Sequence, residues 1–150
     1  MLDYVTIVDN KGRSKTQRVE YTVEDVLGEK IYVTFDGLAY AQDSLTLKRQ
    51  QFLIDELHRL SSILRKPDLV IWDPVDAPGE TLIYYKRTHI SALQTYKVLS
   101  VIIKVRQDIR FFYNFFLQES GKVKGLPIVS PSEIEICYTA PGVKRSQFGL

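Results

Sequence analysis

Thiols, imidazoles and membrane-length apolar runs are all scarce in this chain. Its 150 residues include one cysteine and two histidines. The lone Cys137 excludes an internal disulfide framework and any multi-cysteine zinc site. With so few imidazoles, soft-ligand metals are poorly supplied as well. Cys137 falls in the alternating run IEICYT and reads as a packed, inert thiol. The loop DPVDAPGE groups Asp73, Asp76 and Glu80, but it lacks the alternating oxygen ligands of a calcium loop. Neither a metal nor a cofactor is expected. No apolar run nears the roughly 20 residues that span a bilayer, so no membrane partner is expected. The opening MLDYVTIVD has no basic segment leading into an apolar stretch, so no signal peptide is visible and a cytoplasmic location is expected.

Charge of one sign is also lacking. Twenty Lys and Arg face 18 Asp and Glu, a net charge of +2, which permits an anionic partner without demanding one. What is present is ordinary globular material, 45% apolar and 25% charged, in a length suited to one domain. Within it we expect a small β-meander over residues 1–40, a helix-plus-sheet core over 43–118, and a linker, edge strand and tail over 119–150.

The meander is read from period-two alternation. Residues 2–9 alternate, Asn10-Lys11-Gly12 signals a turn, and Gln17–Val23 alternates again. The loop charges in KGRSK read as solvated, with phosphate contact as the sharper alternative. Lys30–Phe35 forms the third strand and Asp36-Gly37 turns the chain. Asp43 or Ser44 can then cap a helix, either one long element or two shorter ones broken near Lys48–Gln51. Leu53, Leu57, Leu60 and Leu64 lie within about 60° of one another on a helical wheel and form its core-facing stripe. His58 lies about 140° from Leu53, on a flank with Ile54, Ser61 and Arg65. Pro67 ends the helix.

Strand candidates follow at Asp68–Trp72, Thr81–Arg87, Lys97–Val105 and Arg110–Gln118, with His89 in the connection Thr88–Thr95. Leu99, Val101, Ile103 and Val105 make one apolar face, and Ser100, Ile102, Lys104 and Arg106 a mixed one. Asn114, amid large apolar side chains, must find partners or border a cleft. SGKVKGLP reads as a flexible basic linker, IVSPSEIEICYT as an edge strand and APGVKRSQFGL as a loose tail. The fold class is therefore α+β, an antiparallel β-sheet with amphipathic helix packed on it and the meander preceding it.

The succession LHRLSSILRKPDLVIWD, LIYYKR, KVLSVIIKV and IRFFYNFF resembles the barnase–EndoU–colicin–RelE-like nuclease domains, particularly those of phage and mobile-element proteins. The likeness covers about Leu53–Gln118. It rests on hydrophobic pattern and order, with PDLV, IYYK and VIIKV as its near-literal pieces. It implies metal-independent RNA cleavage, in which the ribose 2′-hydroxyl attacks the adjacent phosphate. Such a site needs a base, an acid and a cation. Carried over, the resemblance assigns the helix histidine to His58, the basic residues to Arg65, Lys86 and Lys104, and the last strand's polar position to Tyr113 and Asn114. The other reading is a non-catalytic structural or interaction domain of the same fold, homodimeric or part of a larger phage or mobile-element polypeptide. A third is a nucleic-acid binder that stacks bases on Tyr84 and Tyr85.

Overall fold

The computed structural model describes residues 3–9 and 11–150. Leu2 and Asn10, which belong to the expected first strand and its turn, lie outside the described residues. The architecture is α+β, with helices on one face of an eight-stranded, mostly antiparallel sheet. Its strands are β1 (Asp3–Val8), β2 (Ser14–Glu24), β3 (Lys30–Thr34), β4 (Leu69–Trp72), β5 (Thr81–Ile90), β6 (Thr95–Arg106), β7 (Ile109–Gln118) and β8 (Ile136–Thr139). They lie in the order β1-β2-β3-β7-β6-β5-β4-β8. The N-terminal meander is thus part of the main sheet. It joins through β3, which runs parallel to β7 over two residue pairs, Ile31 with Arg110 and Tyr32 with Phe111.

Directly after β3 the chain enters helix α1 (Phe35–Leu47), where a turn was expected. The Asp-Gly pair sits in the first helical turn. Thr34 caps that turn, its hydroxyl accepting the Gly37 N–H at 3.0 Å, so neither Asp43 nor Ser44 is the cap. Asp36 suits the positive end of the helix dipole. Gly37 has a second task. A Cβ there would stand 2.8 Å from the Phe112 carbonyl oxygen, so its absence lets α1 lie against β7 beyond the short β3 pairing.

The expected break near Lys48–Gln51 is present. Arg49 takes a left-handed conformation at φ 57°, and the chain resumes as tight 3₁₀ turns over Gln51–Arg59 before helix α2 (Leu60–Arg65). Leu53, Leu57, Leu60 and Leu64 are all buried against the sheet, as the stripe predicts. The tighter winding explains one departure. Three residues per turn place Glu56 directly over Leu53, so Glu56 is buried too, where its carboxylate takes the Arg59 guanidinium. Lys66 caps α2 ahead of Pro67.

The strands are apolar on both faces. Leu82, Tyr84, Leu99, Val101, Ile103, Phe112 and Phe115 pack under the helices. Leu69, Ile71, Ile83, Tyr85, Val98 and Ile102 point to the other face, where Val123, Ile134 and Phe148 cover them. Residues 119–150 are therefore a packed layer, which corrects the expectation of a flexible linker and a loose tail. The backbone N–H of Lys124 donates to the Tyr85 hydroxyl at 2.9 Å, and its ammonium meets the buried Asp73 carboxylate at 2.7 Å. A run with few regular elements gave no periodicity to read. His89 is likewise within β5, which continues to Ile90. No helix among the described residues is long and apolar enough to cross a membrane.

Leu64 is fully enclosed by this core while Leu47 is 86% exposed. Replacing Leu64 by Ala is expected to lower unfolding stability by about 2–5 kcal/mol in a urea titration. Leu47→Ala is expected to stay within about 0.5 kcal/mol of the wild type.

Candidate nucleic-acid interface

The sheet face opposite the helices is covered only in part. Strand alternation carries β6 from the covered Ile102 to Lys104 and Arg106, and here the C-terminal layer ends. A cleft of about 650 Å³ opens above these two cations, walled by the β1–β2 hairpin on one side and the β4–β5 loop on the other. Phe111 and Tyr113 of β7 complete the floor. Tyr113 is there because β7 bulges at it. Ile102 pairs with Asn114 but Ile103 pairs with Phe112, which leaves Tyr113 unmatched and turned outward.

Lys104 is held from several sides. Its ammonium donates to Asp76 Oδ2 at 2.8 Å and to Thr81 Oγ1 at 3.0 Å, and it lies 4.9 Å from the Tyr113 ring centre. An ammonium has three N–H donors, so one remains for a ligand. Arg106 is fixed by its backbone surroundings, Nη1 donating to the carbonyls of Glu80 at 3.1 Å and Val105 at 2.9 Å. The Glu80 carboxylate stands 4.0 Å away, beyond hydrogen-bond range, and Arg106 lines the cleft. Residues two apart on a strand are about 6.7 Å apart on one face, so neighbouring phosphates of an extended strand can each meet a cation.

The hairpin wall adds Arg13, paired with Asp9 at 3.0 Å, and Lys15, paired with Asp36 at 2.8 Å. The KGRSK loop, read first as solvated, therefore borders the cleft through Arg13, Ser14 and Lys15. Tyr40 of α1 packs on Tyr113 with ring centres 5.1 Å apart. The hydrogen bond between the two hydroxyls raises the Tyr40 pKa above the ordinary phenol value.

Of the residues assigned from the resemblance, Lys104 and Tyr113 share this cleft. Asn114 is next to it but has a structural task. Its Oδ1 accepts the Phe115 N–H at 2.8 Å and its Nδ2 donates to Ser44 at 3.3 Å, tying the bulge to α1. His58, Arg65 and Lys86 do not join them. His58 is exposed on the 3₁₀ segment of the helical layer, its ring nitrogen bonded to the Asp55 carbonyl, and Arg65 is exposed at the end of α2. Lys86 shares the helical face with Leu82 and Tyr84 and pairs with Asp68 at 3.2 Å, pinning β4 to β5. The helical wheel set His58 beside a groove. A recess does lie on the helical side, between α2 and β5, lined by Arg59, Ile63, Lys86 and His89, but His58 lines neither it nor the cleft across the sheet. Tyr84 and Tyr85 are both buried and offer no stacking surface.

Sequence reading passed over Asp76, Thr81, Glu80 and Arg106 as site residues. The alternation of Lys104 with Arg106 was a usable signal for the two cations, whereas the pairing of Asp76 with a lysine 28 residues away was not. Cys137 is half-buried against the helical-face core, and burial pushes its thiol pKa up, as suits an inert residue. Among the described residues no group of three or more His, Cys, Asp or Glu side chains is placed to hold a metal ion.

The Asp76 carboxyl is held well below the usual carboxylate range by the hydrogen bond from Lys104, then that from Thr81, against an opposing push from burial. A carboxylate whose pKa falls on folding stabilises the folded chain above its unfolded value, about 3.9. That contribution is lost as pH drops through the folded value. Asp76→Asn is therefore expected to unfold at lower urea concentration than the wild type at pH 7, with the gap narrowing from about pH 4 downward. A gap of constant size across that range would remove Asp76 as the titrating group.

No family model, curated protein or solved structure matches this chain.

Proposed function

We propose that the cleft above β6 and β7 holds a single strand of RNA and that the domain is ribonuclease-like. The observation that carries this reading is the pair Lys104 and Arg106, fixed side by side above an aromatic floor on the sheet face that the helices leave free. The order of helix and strands in the resemblance to barnase–EndoU–colicin–RelE-like domains points the same way. Phosphates meet the two cations, and bases stack on Tyr113 and Tyr40.

Cleavage follows the chemistry that the resemblance implies, with a different cast. The 2′-oxygen bonds to phosphorus as its proton passes to a carboxylate, and the bond to the 5′-oxygen breaks as that oxygen takes the proton of the Tyr113 hydroxyl, which the carboxylate's proton later restores through solvent. Glu80, beside Arg106, is the base in this reading. Asp76 is a poor one, because its low pKa leaves little affinity for a proton. Lys104 and Arg106 balance the charge that builds on phosphorus, and the Tyr113 hydroxyl faces the leaving oxygen.

A second reading is favoured by one specific observation. Strand β1 ends the sheet with an unpaired edge and an exposed Tyr4, which suits addition of a strand from another copy of the chain. Sedimentation as a dimer at micromolar concentration, without RNA binding, would select it.

Fluorescence anisotropy with a labelled single-stranded RNA tests the first reading. Binding is expected to weaken with salt, and Lys104→Gln with Arg106→Gln to reduce the log–log salt slope by about 1.4, near 0.7 for each lost phosphate contact. Glu80→Gln is expected to bind but not cleave in the presence of a chelator, and His58→Ala to do both. Salt-insensitive or absent binding by the wild type overturns the reading.

A further inference from the structure

At its far end β5 outruns one of its neighbours. Strand β4 pairs with it from Leu82 to Tyr85 and stops, so Lys86–Ile90 are paired on one side only, with β6. Alternate residues of an antiparallel strand turn their N–H and C=O groups to the same side. The Tyr85 carbonyl accepts the Asp68 N–H at 2.8 Å, which sets that side for Arg87 and His89. The Arg87 N–H is taken by Asp68 Oδ2 at 2.8 Å. The N–H of His89, next along the same side, points past the end of β4.

A recess of about 260 Å³ lies at this open edge, closed opposite by the end of the 3₁₀ segment and by α2. Arg59, Ser62, Lys86, Arg87, His89 and Tyr96 line it, so side chains from both faces of β5 reach it round the bare edge. Two of the cations are anchored. Buried Glu56 holds Arg59 by Nε, and Asp68 holds Lys86 at 3.2 Å. Both Nη groups of Arg59 remain without a partner among the described residues, and the Lys86 ammonium keeps two further donors. Arg87 is different. Its guanidinium lies 5.7 Å from the Tyr96 ring centre, and among the described residues neither it nor His89 has a carboxylate within 4.0 Å. The recess therefore holds unspent donors and a positive charge that no carboxylate balances.

The donors decide the ligand. A phosphate monoester carries about −1.5 to −2 charge at pH 7 and three strong acceptor oxygens. A diester inside a nucleic-acid strand has a single charge and two free oxygens. Guanidinium forks grip phosphate oxygens in pairs, and two of them converge here with an ammonium, an imidazole and a backbone N–H. We propose that this recess binds a terminal phosphate, the monoester end of a small molecule or of an RNA strand. It shares no lining residue with the cleft above β6 and β7, so it stands or falls apart from what that cleft holds.

Amide NMR on the ¹⁵N-labelled whole chain, titrated with phenyl phosphate, tests the site. The Arg87 and His89 amides are expected to shift together while those of Lys104 and Arg106 stay in place. Arg87→Gln, at an exposed position and with an unchanged thermal melt, is expected to weaken binding about tenfold, the worth of one charge-assisted hydrogen bond. Methyl phenyl phosphate, a diester, is expected to bind at least about tenfold more weakly than the monoester. Shifts confined to the cleft, or none at about 10 mM ligand, overturn the site. Full affinity in Arg87→Gln overturns the role given to Arg87, and equal binding of the diester overturns the preference for a terminal phosphate. Short 2′-fluoro uridine strands with a 5′-phosphate or a 5′-hydroxyl then identify the source by anisotropy. An Arg87-dependent gain from the 5′-phosphate assigns the site to RNA ends. Equal binding of the two strands, with phenyl phosphate still bound, assigns it to small monoesters.

Discussion

Strands β5, β6 and β7 are apolar on both faces, and the rest of the fold follows from the need to cover both. Burial removes about 25 cal/mol of unfavourable hydration per Å² of apolar surface, so an open second face would forfeit much of the stability of a chain this size. Helices α1 and α2 with the 3₁₀ segment answer on one side. On the other the chain uses residues 119–150, with little regular structure but with Val123, Ile134 and Phe148 as anchors. The cleft is what that second cover leaves free. It begins where the outward positions of β6 change from Ile102 to Lys104, so the same alternation that demands a lid also ends it.

This division orders the electrostatics. Lys104 sits at the border between covered and open surface, half-enclosed yet bonded to Asp76 and Thr81, so its charge is compensated without being extinguished. The cations along the cleft each have a carboxylate within 4.0 Å, which keeps the field mild and matches the small net charge of the chain. What the cleft offers is placed donors and aromatic faces more than a strong field.

Long elements were legible in the amino-acid order. The leucine stripe, the hairpin partners from β4 to β7, the edge strand β8 and the antiparallel α+β class all follow from period and turn chemistry. Three features were hidden for physical reasons. Asp36-Gly37 carries the chemistry of a tight turn, and only the contact of Gly37 with the Phe112 carbonyl shows why a helix begins there. Glu56 is buried because the segment winds at three residues per turn, a choice that an apolar stripe compatible with 3.6 does not reveal. The C-terminal layer has anchors too widely spaced to form a pattern. The site was half legible, since Lys104 and Tyr113 meet in the cleft whereas His58, Arg65 and Lys86 belong to the other side of the sheet.

The junction between β3 and β7 has a mechanical meaning. The β3–β7 ladder has two residue pairs, α1 lies along the β7 edge beyond it, and the Tyr84 hydroxyl bonded to Asp25 and the Val26 N–H bonded to the Leu64 carbonyl tie the N-terminal unit to the core as well. Arg13 and Lys15 ride on one side of that seam, Lys104 and Arg106 on the other. The cleft therefore straddles a seam, with its cations drawn from two parts of the sheet that meet at that short ladder.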